Sequence, residues 1–185
     1  MKKFPRFVRD EKELAKLFLT LKQKRCPRCA TRGMLNRHSR CYGNHTDTAQ
    51  GQQLRGQEIY CSNRGRRTGC GRTARILFAS VLPRHTFSAT LLGTCLQLLV
   101  RGASIKSAWE QIRPGLSLES VYHILQRFRN RLDAVRAALF RCCNPPRSSQ
   151  VDPLLQTTEH LRCAFPVESC PLSAFQRHFQ SPLMG

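Results

Sequence analysis

The chain has 185 residues and carries 31 Lys and Arg against 11 Asp and Glu, a formal net charge of +20, with 24 of the cations being Arg. That length holds one or two small domains, and that charge selects polyanionic partners, because the planar guanidinium pairs with phosphate and with guanine edges. No stretch approaches the ~20 apolar residues of a membrane span and no apolar signal core follows the basic start, so the expectation is a cytoplasmic, nucleoid-associated protein without membrane contact, whose ten cysteines are ligands or buried thiols rather than disulfides.

The predicted fold class is α+β, an N-terminal zinc ribbon with a small antiparallel sheet followed by a helical, helix-turn-helix-like domain. Residues 1–25 hold a helix that begins at Asp10-Glu-Lys-Glu13, with capping-box spacing, and runs to about Lys24, with Leu14, Leu17, Phe18 and Leu21 on one apolar face. Residues 1–84 carry 20 basic and 5 acidic side chains, a net of +15, so the electrostatic footprint lies there.

Residues 26–84 are the predicted zinc ribbon. Cys26-Pro-Arg-Cys29 is a C-x2-C knuckle, in which a tight turn places two thiolates at adjacent corners of a tetrahedron. The second pair is Cys61 and Cys70, with Gly69 and Gly71 letting the chain turn around the last thiol. Met34 to Tyr42 and Gln57 to Tyr60 have strand composition, with a polar loop from Gly43 to Gly56 between them. Four cysteines close a structural site for one Zn2+ ion, and with almost no apolar core expected around them, metal binding and folding are coupled. Cys41 and His45, at C-x3-H spacing with His38 nearby, are an alternative ligand source.

Acidic residues are too sparse to hold two metal ions around a phosphate, and a closed four-cysteine site has no open position for water. The expected protein is therefore not an enzyme. Its ribbon presents Arg28, Arg32, Arg37, Arg40, Arg55, Arg64, Arg66 and Arg67 against only Asp47 and Glu58, with Arg72 and Arg75 on a strand from Arg72 to Leu82 whose Ile76 and Phe78 share a side. Asn63-Arg-Gly-Arg-Arg67, between two ligands, is the most basic loop. Phosphate contact is the reading, and a solvated Arg-rich surface the bland alternative.

Residues 85–140 turn Leu-rich and helical. A buried helix over 86–101, capped by Thr86 or Ser88, stops at Gly102. Ser104 caps a short helix with Ile105, Ala108, Trp109 and Ile112 on one face, ending at Arg113-Pro-Gly. Ser117 then caps one long helix in which Leu118, Val121, Leu125, Phe128, Leu132, Val135 and Leu139 alternate at spacings of 3 and 4. That stripe is a core seam or a homodimer contact. Trp109 reads as core, whereas Ser117, Ser120, Tyr122, His123 and Arg127 sit where a recognition helix enters a major groove, and Gln126, Arg129, Arg131 and Arg136 read as outward positions. Cys95, Cys142, Cys143, Cys163 and Cys170 read as small core residues. Residues 141–185 are a linker and two amphipathic pieces, Pro153 to Phe165 and Pro171 to Phe179, that pack back on the bundle or capture a partner.

Cys26-Pro-Arg-Cys29, Arg37-His-Ser, Gln57-Glu-Ile-Tyr-Cys61, Cys70-Gly-Arg-Thr73 and the run from Ser104 to Arg127 come in an order that resembles the small zinc-finger plus helix-turn-helix proteins of bacterial insertion sequences and the N-terminal DNA-binding parts of related transposases. The long hairpin loop, the C-x8-C spacing and the C-terminal tail depart from that pattern. The resemblance implies an accessory or regulatory protein that binds double-stranded DNA at element ends or at the element's promoter, with strand transfer left to a separate catalytic transposase. An RNA-binding zinc-ribbon factor, with Tyr42 and Tyr60 stacking on bases, and a protein-interaction scaffold are the alternatives.

Overall fold

The structure is a computed structural model, and it describes residues 4–44, 51–112 and 115–184. It is α+β, with a four-stranded mixed sheet and seven α-helices among the described residues, and it divides into two compact units: residues 4–44 with 52–79, and residues 80–184.

The first unit begins with β1 (Phe7–Val8), a strand too short to announce itself in the sequence, and α1 (Glu11–Leu19). Asp10 Oδ1 accepts the Glu13 amide at 2.8 Å, and the Glu13 carboxylate reaches back to the Arg9 amide at 2.5 Å, so the capping residues act as expected but the return bond lands one residue earlier. The helix is shorter than its apolar pattern suggests. It stops at Thr20, whose amide and hydroxyl both turn onto the Leu17 carbonyl, and a 3-10 turn follows at Leu21–Gln23.

Three longer strands complete the sheet: β2 (Leu35–Asn44), β3 (Gln52–Cys61) and β4 (Thr73–Phe78). Their spatial order is β1-β4-β3-β2, antiparallel except for β1, which lies parallel to β4 with Phe7 opposite Leu77 and Val8 opposite Phe78. The sheet is therefore mixed rather than the antiparallel one expected, because the extended N-terminal segment adds itself to the free edge of β4. The β2/β3 hairpin is also longer than predicted: Tyr42, Gly43 and Asn44 pair with Leu54, Gln53 and Gln52, so half of the supposed polar loop is strand, while β4 ends before the predicted Leu82. Phe7, Leu35, Ile59 and Ile76 are fully buried, with Val8, Leu14, Leu21 and Phe78 around them. This small apolar core corrects the expectation that the metal ligands have almost none beside them. Each such side chain contributes about 1.5–3 kcal/mol by leaving water.

The second unit is built from α2 (Ala89–Val100), α3 (Ile105–Ile112), α4 (Leu118–Arg129), α5 (Leu132–Leu139), α6 (Pro153–Ala164) and α7 (Pro171–Phe179). Ser88 Oγ accepts the Leu91 amide at 3.0 Å and Ser104 Oγ the Ser107 amide at 3.1 Å, while Asp152 caps α6 directly before a proline at its first position. The 3/4 stripe is buried within this unit, Val121, Leu125, Phe128, Leu132, Val135 and Leu139 meeting Leu92, Leu96, Leu154 and Leu161 in one core. The stripe does not lie on one helix, however. At Asn130 the chain tightens, the Arg131 amide bonding to the Phe128 carbonyl at 2.9 Å, and α4 gives way to α5. Asn competes for backbone hydrogen bonds and is a weak helix former, and the break still keeps both halves of the stripe facing the core.

Both C-terminal pieces pack into this unit. Leu154, Leu161, Leu172 and Phe175 join its core, and the fully buried Gln176 donates to the Val81 carbonyl at 2.9 Å and accepts the Leu183 amide at 3.1 Å. Among the described residues, no helix is long and apolar enough to cross a membrane.

Candidate metal centre and basic surface

The knuckle follows the 3-10 turn. The Cys26 amide bonds to the Thr31 carbonyl at 2.9 Å, the Ala30 amide bonds to the Cys26 carbonyl at 3.0 Å, and Arg25 and Arg32 form an antiparallel bridge, so the turn is closed twice over. Ala30 takes a left-handed conformation (φ 61°) inside it, at a cost of about 1–2 kcal/mol that the surrounding hydrogen bonds offset. The Arg28 amide points at Cys26 Sγ from 3.4 Å.

The other pair grows from the end of β3. Cys61 is paired across the sheet with Leu35, and its amide bonds to the Arg72 carbonyl at 3.0 Å. The chain then loops out and returns: the Gly69 amide bonds to the Ser62 carbonyl, the Gly71 amide to the Cys61 carbonyl, and the Cys70 amide approaches Cys61 Sγ at 3.4 Å. Both glycines are required by this turn. A Cβ on Gly69 would lie 2.1 Å from the Ser62 oxygen and 2.8 Å from Cys61 Sγ, and Gly71 has φ +67° with the Asn63 side chain against it. Gly69→Ala is therefore expected to displace Cys70 and weaken metal retention, read as faster metal transfer to a chromogenic chelator than from the parent protein.

Cys26, Cys29, Cys61 and Cys70 bring their sulfur atoms within 4.8 Å of one another, with 3.8 Å from Cys26 to Cys70 and 3.7 Å from Cys29 to Cys61. A tetrahedral ion with metal–sulfur bonds of about 2.3 Å needs edges of about 3.8 Å. Two of the six edges thus match those of a closed four-thiolate site and all lie within 4.8 Å, so the four can hold a metal ion. Cys41, the alternative ligand, is half-buried outside this cluster, and burial raises its thiol pKa. His45 and Asp47 lie outside the described residues, as do Arg113 and Pro114 of the predicted turn.

The thiols are unequal before metal arrives. Hydrogen bonding to the Thr31 side chain and backbone pulls Cys29 down to about 6, whereas burial pushes Cys61 up to about 12. Metal binding requires all four thiolates. At about pH 7.5, Cys61 must release a proton on binding and Cys29 almost none; at about pH 5, Cys29 is a thiol and must release one as well. Affinity should therefore fall more steeply with acidification below about pH 6, checked by calorimetry of metal binding in buffers of different ionisation enthalpy.

The basic side chains are arranged around this centre. Asn63 to Thr68 is exposed, and within it Arg64, Arg66 and Arg67 meet no carboxylate among the described residues. Arg28, Arg32, Arg37, Arg40 and Arg72 are exposed as well. Several have structural engagements that the sequence did not reveal. Arg37 stacks its guanidinium 4.3 Å from the Phe18 ring centroid, and Arg40 reaches the Tyr42 hydroxyl. Arg75 is ion-paired to Glu58 at 2.8 Å, across from β3 to β4, and Ser39 on β2 donates to the same carboxylate at 2.8 Å. Arg75 and Ser39 lower the Glu58 pKa and keep it ionised. Glu58 is thus a cross-strand tie.

In the second unit, Ser117, His123 and Arg127 are exposed and Tyr122 is 50% exposed, whereas Ser120 is half-buried with its hydroxyl 3.0 Å from that of Ser117. Ser117 stands at the cap position without a side-chain bond to the backbone. Trp109 is buried and donates to the Leu116 carbonyl at 3.2 Å, a core residue as expected. The outward reading of Arg129 and Arg136 is corrected: Arg129 pairs with Asp152 at 2.7 Å and Arg136 donates to Gln156, both toward α6. Arg131 buries its Nε. The core reading of the remaining cysteines holds for Cys95, which is fully buried, but Cys142 and Cys163 are exposed and Cys143 and Cys170 half-buried. Comparisons with protein-family models, with curated proteins and with solved structures each find no match.

Proposed function

We propose that this is a non-enzymatic, sequence-specific DNA-binding protein whose four cysteines hold one structural Zn2+ ion in a ribbon-like unit, with a helix-turn-helix in the second unit. The observation that carries this reading is the Asn63 to Thr68 loop. It presents three exposed arginines, unpaired with acid among the described residues, from a segment bounded by Cys61 and Cys70. Clustered cations with so little acid around them repel one another until an anion neutralises them. A thiolate set favours zinc over hard cations, and with all four positions taken by protein the ion supplies rigidity rather than a water nucleophile.

In this reading α3 and α4 supply the sequence discrimination through Tyr122, His123 and Arg127, while the arginines of the first unit hold phosphates. The role as accessory or regulator of a transposable element, working beside a separate transposase, rests on the order of the sequence motifs. Selection from a random duplex pool with zinc-loaded protein at near-physiological salt tests the function. A converged motif supports it, and strong salt-sensitive binding without convergence overturns the sequence-specific part.

One observation favours RNA as a second reading. The Tyr60 ring on β3 has the Arg64 guanidinium 6.0 Å from its centroid and the His38 ring 6.0 Å away, a cation and aromatic grouping that suits an unstacked base. Competition of the selected duplex by single-stranded RNA separates the two.

A further inference from the structure

The cysteines outside the metal cluster include a pair in direct contact. Cys143 Sγ, in the turn after α5, lies 3.9 Å from Cys163 Sγ in the last turn of α6. Local structure holds them there. The Cys143 amide bonds to the Leu139 carbonyl at 3.1 Å, and the Cys143 carbonyl accepts from His160 Nε2 at 2.9 Å. His160 stands three residues before Cys163, on the same face of α6, so the bond that fixes the Cys143 backbone also presents its sulfur to Cys163. The pair is reachable: Cys163 is exposed and lines a cavity of about 490 Å³ together with Pro146, Arg147 and Arg162. Cys95 offers the contrast of a thiol sealed in the core, pushed by burial to about 11.

We propose that Cys143 and Cys163 form an oxidisable dithiol, converted by hydroperoxides to an intramolecular disulfide that ties the segment after α5 to α6. Cys163, the exposed member, attacks the hydroperoxide: an S–O bond forms, the O–O bond breaks, and an alcohol leaves, giving a sulfenic acid. Cys143 then attacks that sulfur. The S–S bond forms, the S–O bond breaks, and water leaves with the Cys143 proton. Two thiols lose two electrons and one hydroperoxide becomes alcohol and water. Burial, with Cys163 beside it, raises the Cys143 thiol pKa, which suits the resolving role better than the first attack.

The test uses the full chain with its four-cysteine site loaded with zinc, treated with tert-butyl hydroperoxide, alkylated and digested without reduction. The expected result is a Cys143–Cys163 linked peptide, assigned by fragmentation, in protein that has lost two hydrogens and kept its zinc. Cys143→Ser and Cys163→Ser should each abolish the link, and Cys142→Ser and Cys170→Ser should preserve it. A link that survives Cys143→Ser through Cys142, recovery of Cys163 as sulfinic acid with no link, or zinc loss before any link forms would each overturn the proposal. Fragmentation of the parent protein's linked peptide decides the matter even where a variant folds poorly.

Discussion

Replacing Cys61 and Cys70 together with serine is expected to unfold the first unit while leaving the second intact. A structural zinc contributes an apparent ~10–16 kcal/mol in small metal-stabilised domains, more than the small cluster of Phe7, Leu35, Ile59 and Ile76 can replace in the segments from Arg25 to Thr31 and Cys61 to Arg72 that carry the four cysteines. Amide hydrogen exchange followed peptide by peptide is the measurement. Protection should vanish across β2, β3 and β4 and persist in α2 to α7, whose core contains no member of the metal cluster. Exhaustive chelation of the parent protein should give the same pattern. A metal-free double variant that keeps its β2/β3 protection would show that the small apolar core suffices and that the ion is dispensable to the fold.

Replacing Arg64, Arg66 and Arg67 with alanine should weaken DNA binding on the order of 100-fold at about 0.15 M salt, if each arginine neutralises one phosphate and each phosphate contributes about 0.9 to the slope of log affinity against log salt. The same arithmetic lowers that slope by about 2.7. The loss should be uniform across sequences, because phosphate contacts carry no base information. Replacing His123 or Tyr122 should act differently, shifting preference among sequences with little change in slope. Titrations at several salt concentrations separate the two. Unchanged affinity and slope in the triple variant would remove the loop from the interface and, with it, the main support for the proposed function.

The positions that could be read correctly from the chain are those whose cause is local or whose residue type admits few uses. Four cysteines in two pairs, a C-x2-C and a glycine-flanked return, mark a set that can hold a metal ion because thiols in that pattern have few other uses. Ser88, Ser104 and Asp10 mark helix starts because a cap is a bond across two or three residues. The 3/4 stripe marks a buried seam because side-chain direction follows helical periodicity. Strand ends were less legible: β1 is two residues long and exists only because the edge of β4 accepts it, and the extra pairs of the β2/β3 hairpin depend on register rather than on apolar content.

What the amino-acid sequence determined by itself, then, is the four-cysteine set that can hold a metal ion, the basic character of the segment around it, the helical texture of the second half and the caps that start its helices. Only the tertiary structure decided which charges are available. Arg75 is tied to Glu58, Arg129 to Asp152 and Arg136 to Gln156, whereas Arg64, Arg66 and Arg67 meet no carboxylate among the described residues. It likewise decided that Cys143 touches Cys163 while Cys95 is sealed away. The physical reason is range: caps and periodicity act within a few residues, but partners separated by 17 to 23 positions meet only once strands have chosen their register and helices their neighbours.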